Sequence, residues 1–233
     1  MSLKVALVGY GRMGKEIDAL SESHGCEVTA RLDIHNNARS EGIDKATLGE
    51  VDVAIDFSVA PALIENLPKL AALGINMVIG TTGWGDQEAA MKKVVADAGI
   101  GVVVAANFSV GVNVFQGIVE RAASLFSRHE DFGAWIHETH HAAKTDAPSG
   151  TALTLQQAMR QSGYEANIDI SSTRAGSVPG IHTVGFDGPF ETVTLTHSAR
   201  DRATFARGAL EAARWIKGKQ GWFTMRDVLG LER

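Results

Sequence analysis

The stretch from Leu3 to Gly14 constrains this chain more than any other. Val5-Ala6-Leu7-Val8 is a short apolar run of the kind that a parallel sheet buries on both faces. It leads directly into Gly9-Tyr10-Gly11-Arg12-Met13-Gly14, and a helical pattern follows from Met13 to Ser23. In a strand–turn–helix setting each glycine has a distinct job. The first allows the tight turn, the second lets backbone approach a pyrophosphate, and the third lets the helix pack closely. Phosphate would then rest on the unpaired N–H groups at the helix start. The bland alternative is a glycine turn in an α/β domain that binds no nucleotide.

The alternation continues. Strand-like runs at Val28–Leu32, Val51–Ile55, Asn76–Ile79 and Val102–Ala105 interleave with helical patterns around Leu63–Leu73, where Pro68 perturbs the spacing, and Gln87–Ala98. This predicts an α/β chain with a Rossmann-type, doubly wound parallel sheet. The pattern changes near residue 108. A long amphipathic helix (Val114–Phe126) is followed by a strand at Ala134–Ile136 and a helix at Thr151–Met159. Three β-rich runs come next, Ile168–Ser172, Ile181–Phe186 and Thr192–Thr196, with Gly and Pro between them. An Ala-rich helix closes the series at Ala203–Ile216. Two domains are expected. Residues 1–108 with 203–233 would bind the dinucleotide. Residues 109–202 would form an α+β domain with a mixed or antiparallel sheet, for substrate binding and oligomerisation.

Composition narrows the function classes. The chain has 233 residues and a net charge of −5, which disfavours nucleic acid and anionic membrane surfaces as partners. Cys26 is the only cysteine, so no intrachain disulfide can form. No charged segment followed by an apolar one precedes Leu3, so no signal peptide is expected, and no apolar run reaches the length of a membrane span. A cytoplasmic location is expected.

Asp33 ends the second strand-like run about 20 residues after the glycine loop, where a carboxylate accepts hydrogen bonds from an adenosine ribose. It would repel a 2′-phosphate and so favour NAD, while Arg12, Lys15, Arg31 and His35 stand near enough in sequence to offset that preference. Gly80-Thr81-Thr82-Gly83 and Asn107-Phe108-Ser109 follow later strands, and Phe57-Ser58 is a weaker feature of the same kind. Ligands of such sheets bind beyond the carboxyl ends of the strands. Ordinary loop chemistry explains the same residue types.

The run His140-His141-Ala142-Ala143-Lys144-Thr145-Asp146-Ala147-Pro148-Ser149-Gly150-Thr151 carries the chemistry. Ser149 or Thr151 suits a helix cap, and the N–H groups behind it suit a carboxylate or phosphate. Lys144 can bind an anion and deliver a proton, and a histidine suits general acid catalysis. Asp146 can hold Lys144 or His141, or form a turn before Pro148. His137-Glu138-Thr139-His140-His141 also matches H-E-x-x-H, but that zinc motif needs a helix. Here a strand leads in, a polar loop follows and no third ligand is evident, so no metal is expected.

Glu138 to Ala152 resembles the signature of the dihydrodipicolinate reductase (4-hydroxy-tetrahydrodipicolinate reductase) family. Supporting matches are Gly9–Gly14, Gly80–Thr82, Ala105–Asn113, and Arg174-Ala175-Gly176 through His182. The resemblance implies hydride transfer from NADH, NADPH or both to C4 of a cyclic dicarboxylate, giving tetrahydrodipicolinate and water on the diaminopimelate route to lysine. It implies His140 as proton donor and acceptor, Lys144 as proton donor, and His141, Ser149, Gly150 and Thr151 as substrate-binding residues. Gly9, Tyr10, Gly11, Arg12, Met13, Gly14, Asp33, Gly80, Thr81, Thr82, Ala105, Ala106, Asn107 and Phe108 would line the nucleotide. It also implies a homotetramer assembled through the sheet of the second domain. This chain is one residue shorter than several members in the glycine loop and shorter than many after the second strand. Rival readings are another oxidoreductase of the same fold acting on a small anionic acid, a non-catalytic nucleotide sensor, and a zinc hydrolase.

Overall fold

The computed structural model describes residues 2–231 and divides into two compact units, Met1–Val110 with Ala203–Arg233, and Gly111–Arg202. The first opens with β1 (Leu3–Val8), α1 (Arg12–Ser21), β2 (Cys26–Leu32), α2 (Lys45–Leu48) and β3 (Val53–Asp56). It continues with α3 (Ala60–Ala72), β4 (Asn76–Ile79), α4 (Glu88–Ala98) and β5 (Gly101–Val104). Next come α5 (Val110–Phe126), β6 (Gly133–His140), α6 (Gly150–Gln161), β7 (Ile168–Arg174), β8 (Ile181–Asp187) and β9 (Thr192–Ser198). The chain then forms α7 (Ala203–Ile216), β10 (Gly221–Phe223) and α8 (Met225–Val228).

The first unit holds a six-stranded sheet in the order β10-β5-β4-β3-β1-β2, parallel throughout. Strands β1, β3, β4 and β5 are buried nearly throughout because both faces are covered, whereas the edge strand β2 alternates between buried and exposed residues. Ala6 and Val8 share one core with Met77, Ile79 and the α3 and α4 residues Leu63, Leu67, Leu70, Met91 and Val95. Val5 and Leu7 share the other with Ile55, Val103, Ile17 of α1 and the α7 residues Ala206, Ala209, Leu210 and Ala213. Each buried Val or Leu contributes about 1.5–3 kcal/mol before entropy is counted. Small residues let α7 lie close to its neighbours. A Cβ on Gly208 would stand 1.7 Å from the carbonyl oxygen of Phe108. Helix α3 runs through Pro68, giving up the one hydrogen bond that a missing N–H would have made.

The second unit holds a four-stranded mixed sheet in the order β7-β6-β8-β9. Strand β6 is parallel to β7 and antiparallel to β8, and β9 is antiparallel to β8. Ala134, Ile136, Ile168, Val184 and Phe186 of this sheet share a core with Phe115, Val119 and Ala123 of α5 and Ala152, Leu155 and Met159 of α6. Among the described residues, no helix is long and apolar enough to cross a membrane.

Three short elements fall outside the sequence reading: α2, β10 and α8. Each rests on local caps or distant pairing. Asp44 caps α2 by accepting from the Thr47 N–H at 2.8 Å, and Thr224 and Asp227 form a capping box on α8. Strand β10 pairs with β5 from the far end of the sequence.

Candidate functional site

All strands of the first sheet are parallel, so the loops after β1, β2, β3, β4 and β5 leave the same edge. Strand β1 lies between β2 and β3, so the strand order reverses there and a crevice opens beyond the strand ends. A cavity of about 520 Å³ occupies that place, lined by Gly9, Tyr10, Gly11, Asp33, Ser58 and Val59 among others. Gly9 has φ +88°, and a Cβ on it would stand 2.6 Å from the Phe57 carbonyl. A Cβ on Gly14 would stand 2.5 Å from the Gly9 oxygen, so the helix packs on the turn itself. Gly11 caps α1 without a side chain, and no atom lies within 4 Å of where its Cβ would be. The backbone is therefore bare where a phosphate would approach.

Asp33 follows β2, and one of its oxygens accepts the His35 N–H at 2.8 Å. Of the four cations weighed against it, Arg31 is committed elsewhere. Its guanidinium grips Asp18 through two bonds of 2.6 and 2.8 Å, and Tyr10 donates to the same carboxylate. Arg31 holds the Asp18 carboxyl below the usual range. The loop after Asp33 is tied to α3 by Asn66, whose Oδ1 accepts from Asn37 Nδ2 at 3.1 Å and Ser40 Oγ at 2.7 Å.

Asp56 ends β3 fully buried. Its Oδ1 accepts from the Ser58 N–H at 2.9 Å, Ser58 Oγ at 2.6 Å and Thr81 Oγ1 at 2.7 Å. Its Oδ2 has no partner, and burial pushes the carboxyl up. Thr81 is thus turned inward, while Thr82 is exposed. Gly80 lies against Phe57, where a Cβ would stand 2.1 Å from the ring. Phe108 is buried beside Phe57, with ring centroids 5.6 Å apart. Asn107 Oδ1 accepts the Ser109 N–H at 2.8 Å. Ala105 and Ala106 follow β5, Met13 packs against the core, and Arg12 is exposed. The side chains of Thr81, Phe108 and Met13 hold the loops in shape, which leaves loop backbone to meet a ligand.

The second unit is built differently. Strand alternation puts Ala134, Ile136, Glu138 and His140 on the buried face of β6. Glu138 is fully buried. Its Oε2 is in hydrogen-bond contact with His140 Nδ1. Its Oε1 accepts from Arg174 Nη2 at 2.7 Å and the Ser149 N–H at 3.3 Å. Burial alone pushes this carboxyl up, but Arg174, Ser172 and His140 together outweigh it and hold it at about 2. Opposite Glu138 in the ladder stands His182, whose ring is 5.1 Å from that of His140. Burial, assisted by the charges of His140, His197 and Lys144 and opposed by Glu138, pushes His182 down to about 4. Its Nε2 contacts Ser149 Oγ at 3.2 Å.

Ser149, not Thr151, is the N-cap of α6, accepting the Ala152 N–H at 3.2 Å. Its hydroxyl and its N–H are both spent inside the protein, whereas Gly150 is exposed and Thr151 half-buried at the helix start. Asp146 holds Lys144, Nζ to Oδ1 being 2.7 Å, and that contact lowers the Asp146 carboxyl. His141 is half-buried just past the strand. His137 to His140 lie in β6, so His137 and Glu138 sit on opposite faces and the helix required by H-E-x-x-H is not formed. His137 pairs instead with Ser171, Nδ1 to Oγ being 2.8 Å. Glu138, His140 and His182 each offer a ligand atom within 4.8 Å of the others, but Arg174 already neutralises the one carboxylate. Such a set can hold and release protons beside an exposed helix start.

Sequence reasoning left out Asp56 and Asn66 of the first unit and treated Glu138, Arg174 and His182 only as parts of motifs. For Glu138 a signal was present. It falls in the alternation that buries Ala134 and Ile136, and a carboxylate at such a position requires a partner.

The comparisons with known proteins agree along the whole chain. The family profile described as dihydrodipicolinate reductase, N-terminus, matches residues 3–108, and that described as the C-terminus matches residues 111–229. The chain is 38% identical to 4-hydroxy-tetrahydrodipicolinate reductase of Christiangramia forsetii, over 97% of this chain and 98% of that protein. It is 35% identical to the enzyme so named in Methanoregula boonei, over 99% of each. Dipicolinate-bound dihydrodipicolinate reductase from Paenisporosarcina sp. TG-14 has the same fold, with a TM-score of 0.78 at 23% identity over 96% of this chain and 98% of that one.

Proposed function

Because the chain belongs to the dihydrodipicolinate reductase family, we propose that this oxidoreductase reduces 4-hydroxy-tetrahydrodipicolinate to tetrahydrodipicolinate with NADH or NADPH. The reaction serves lysine biosynthesis through diaminopimelate in the cytoplasm. The single observation that carries the reading is the Glu138–His140 pair held on β6 ahead of the α6 helix start.

The nucleotide fits the first unit. Gly9 and Gly14 sit where a Cβ would collide, Gly11 leaves bare backbone, and Asp33 keeps one oxygen for a ribose hydroxyl. Gly80 to Thr82 and Ala105 to Phe108 complete the edge. When bound, the nucleotide supplies a hydride.

The second unit supplies charge and protons. Gly150 and Thr151 present helix N–H groups to a substrate carboxylate, with His141 beside them. Lys144, steadied by Asp146, offers a second cationic contact and a proton. His140 supplies the proton that quenches the charge built up by hydride addition to a conjugated imine. Homotetramer assembly through the β7-β6-β8-β9 sheet is part of the proposal. It is supported by the exposure of most of β9 and of Phe190 in the turn before it.

The test is oxidation of NADH and NADPH, side by side, with the freshly formed condensation product of aspartate-semialdehyde and pyruvate. Turnover with at least one nucleotide is expected. Absence of turnover with both would overturn the assignment.

A further inference from the structure

Glu138 is a carboxylate with no surface exposure at the centre of the second unit's polar cluster, and its two oxygens face different chemistry. Oε1 meets two groups that can only donate: the Arg174 guanidinium at 2.7 Å and the Ser149 N–H at 3.3 Å. Arg174 is itself anchored, its Nη2 also donating to the Asp146 carbonyl at 2.6 Å. Oε2 is left for His140 Nδ1. An ionised carboxylate only accepts, so Nδ1 must carry a hydrogen. Around the imidazole stand Arg174 from β7 and His182 from β8, with Lys144 near enough to act on His182. Arg174 and Lys144 can only donate, and the group that His140 Nδ1 itself contacts is Glu138 Oε2. The Nε2 edge lies against Gly180, where a Cβ would come within 3.1 Å.

We infer that Glu138 is a positioning residue that decides which nitrogen of His140 gives up the proton: by holding Nδ1–H, it makes Nε2 the donor. This rests on the proposed role of His140 as proton donor. With Nδ1–H held, the imidazolium releases the proton from Nε2, and the neutral ring that remains keeps the tautomer ready to be reprotonated there. Ser149 joins the arrangement through its N–H, so the helix start that would bind the substrate carboxylate is built on the same glutamate.

Glu138→Gln separates geometry from charge. The amide oxygen must face Arg174 and the Ser149 N–H, because both are donors. The amide NH₂ then faces His140, which can meet it only with a bare Nδ1. The variant therefore imposes the opposite tautomer, with hydrogen on Nε2 in the neutral ring and the imidazolium opposed by a donor. The equivalent carboxylate-to-amide change in catalytic triads preserves geometry and cuts turnover about 10,000-fold through the wrong tautomer.

The experiment is ¹⁵N NMR of histidine-labelled full-length protein, unmodified and Glu138→Gln, alongside steady-state kinetics of both and of His140→Ala. Expected are Nδ1–H for His140 in the unmodified protein and Nε2–H in the variant. Expected too is a kcat lower by about 1,000- to 10,000-fold in the variant, with the NADH dissociation constant unchanged. A neutral His140 carrying its hydrogen on Nε2 in the unmodified protein would overturn the inference, and needs no variant to fold. Retention of Nδ1–H in Glu138→Gln would also overturn it. If the tautomer switches as expected but His140→Ala turns over like the unmodified protein, the positioning by Glu138 stands and His140 is not the proton donor.

Discussion

The nucleotide edge of the first sheet and the β6 cluster of the second are both polar and sheltered, yet they are made of opposite materials. The first offers backbone: bare Gly11, with Thr81 and Phe108 turned inward as supports. The second offers side chains, Glu138, His140, Arg174 and His182, locked to one another on neighbouring strands. A backbone site tolerates change in side chains and fails when a Cβ is added. A side-chain network fails when a single acceptor is removed, because buried partners are left unpaired.

The contrast can be broken most sharply at the two residues proposed as proton donors. His140→Ala and Lys144→Ala should each lower kcat by about 100- to 10,000-fold, while fluorescence titration of NADH gives a dissociation constant within about twofold of the unmodified protein. A parallel loss of NADH binding would show that the two regions are not separable. The complementary change is Gly9→Ala. Its Cβ meets the Phe57 backbone at 2.6 Å in a left-handed conformation, at a cost of about 1–3 kcal/mol. NADH affinity should fall by about tenfold or more and the melting temperature should drop, while the His140 tautomer stays as it is.

Acid should separate the regions next. His182 is held at about 4 in the folded state against an ordinary 6.5. The unfolded chain therefore binds the extra proton first. Stability from neutral His182 is complete above pH 6.5 and is lost as pH falls toward 4. Hydrogen exchange of β6 and β8 should accelerate over that window, and His182→Gln should remove much of the slope. Glu138 continues the trend at lower pH, since its stabilisation is present above 4.5 and lost toward 2. Asp56 has the opposite sign, its carboxyl being pushed up by burial, so protonation there relieves the first unit. The smallest effect is expected at Asp33→Asn, which should move the NADPH-to-NADH preference toward NADPH by about two- to fivefold in side-by-side KM measurements.

The same contrast explains what the sequence makes legible. Strands β1, β3, β4 and β5 are readable because burial on both faces demands apolar runs, β2 because its residues alternate between buried and exposed, and Gly9, Gly11 and Gly14 because backbone geometry demands glycine. Strand β10 is not readable. Gly221-Trp222-Phe223 is a strand only because β5 presents an open edge, with Asn76 bonding the Ile216 and Lys219 carbonyls at 2.7 and 3.1 Å to hold the connection. In the site, Asp33 and the helix start at Ser149 follow from local rules. Glu138 and Arg174 meet only because β6 and β7 pair in a register that sets His140 beside Arg174, and register between distant strands leaves no local mark. Asp56 hides for a similar reason. Its partner Thr81 arrives in the loop after a different strand, β4.

Strand β6 has one more consequence. It is hydrogen-bonded on both sides, and its alternate residues are core at one end and chemistry at the other. A slip of one residue would expose Glu138 and His140 and bury Thr139 in their place. No half-assembled form of this sheet can keep a weakened Glu138–His140 pair. Loss of turnover during denaturation should therefore coincide with loss of the sheet, and the enzyme's own reaction becomes a clock for its folding.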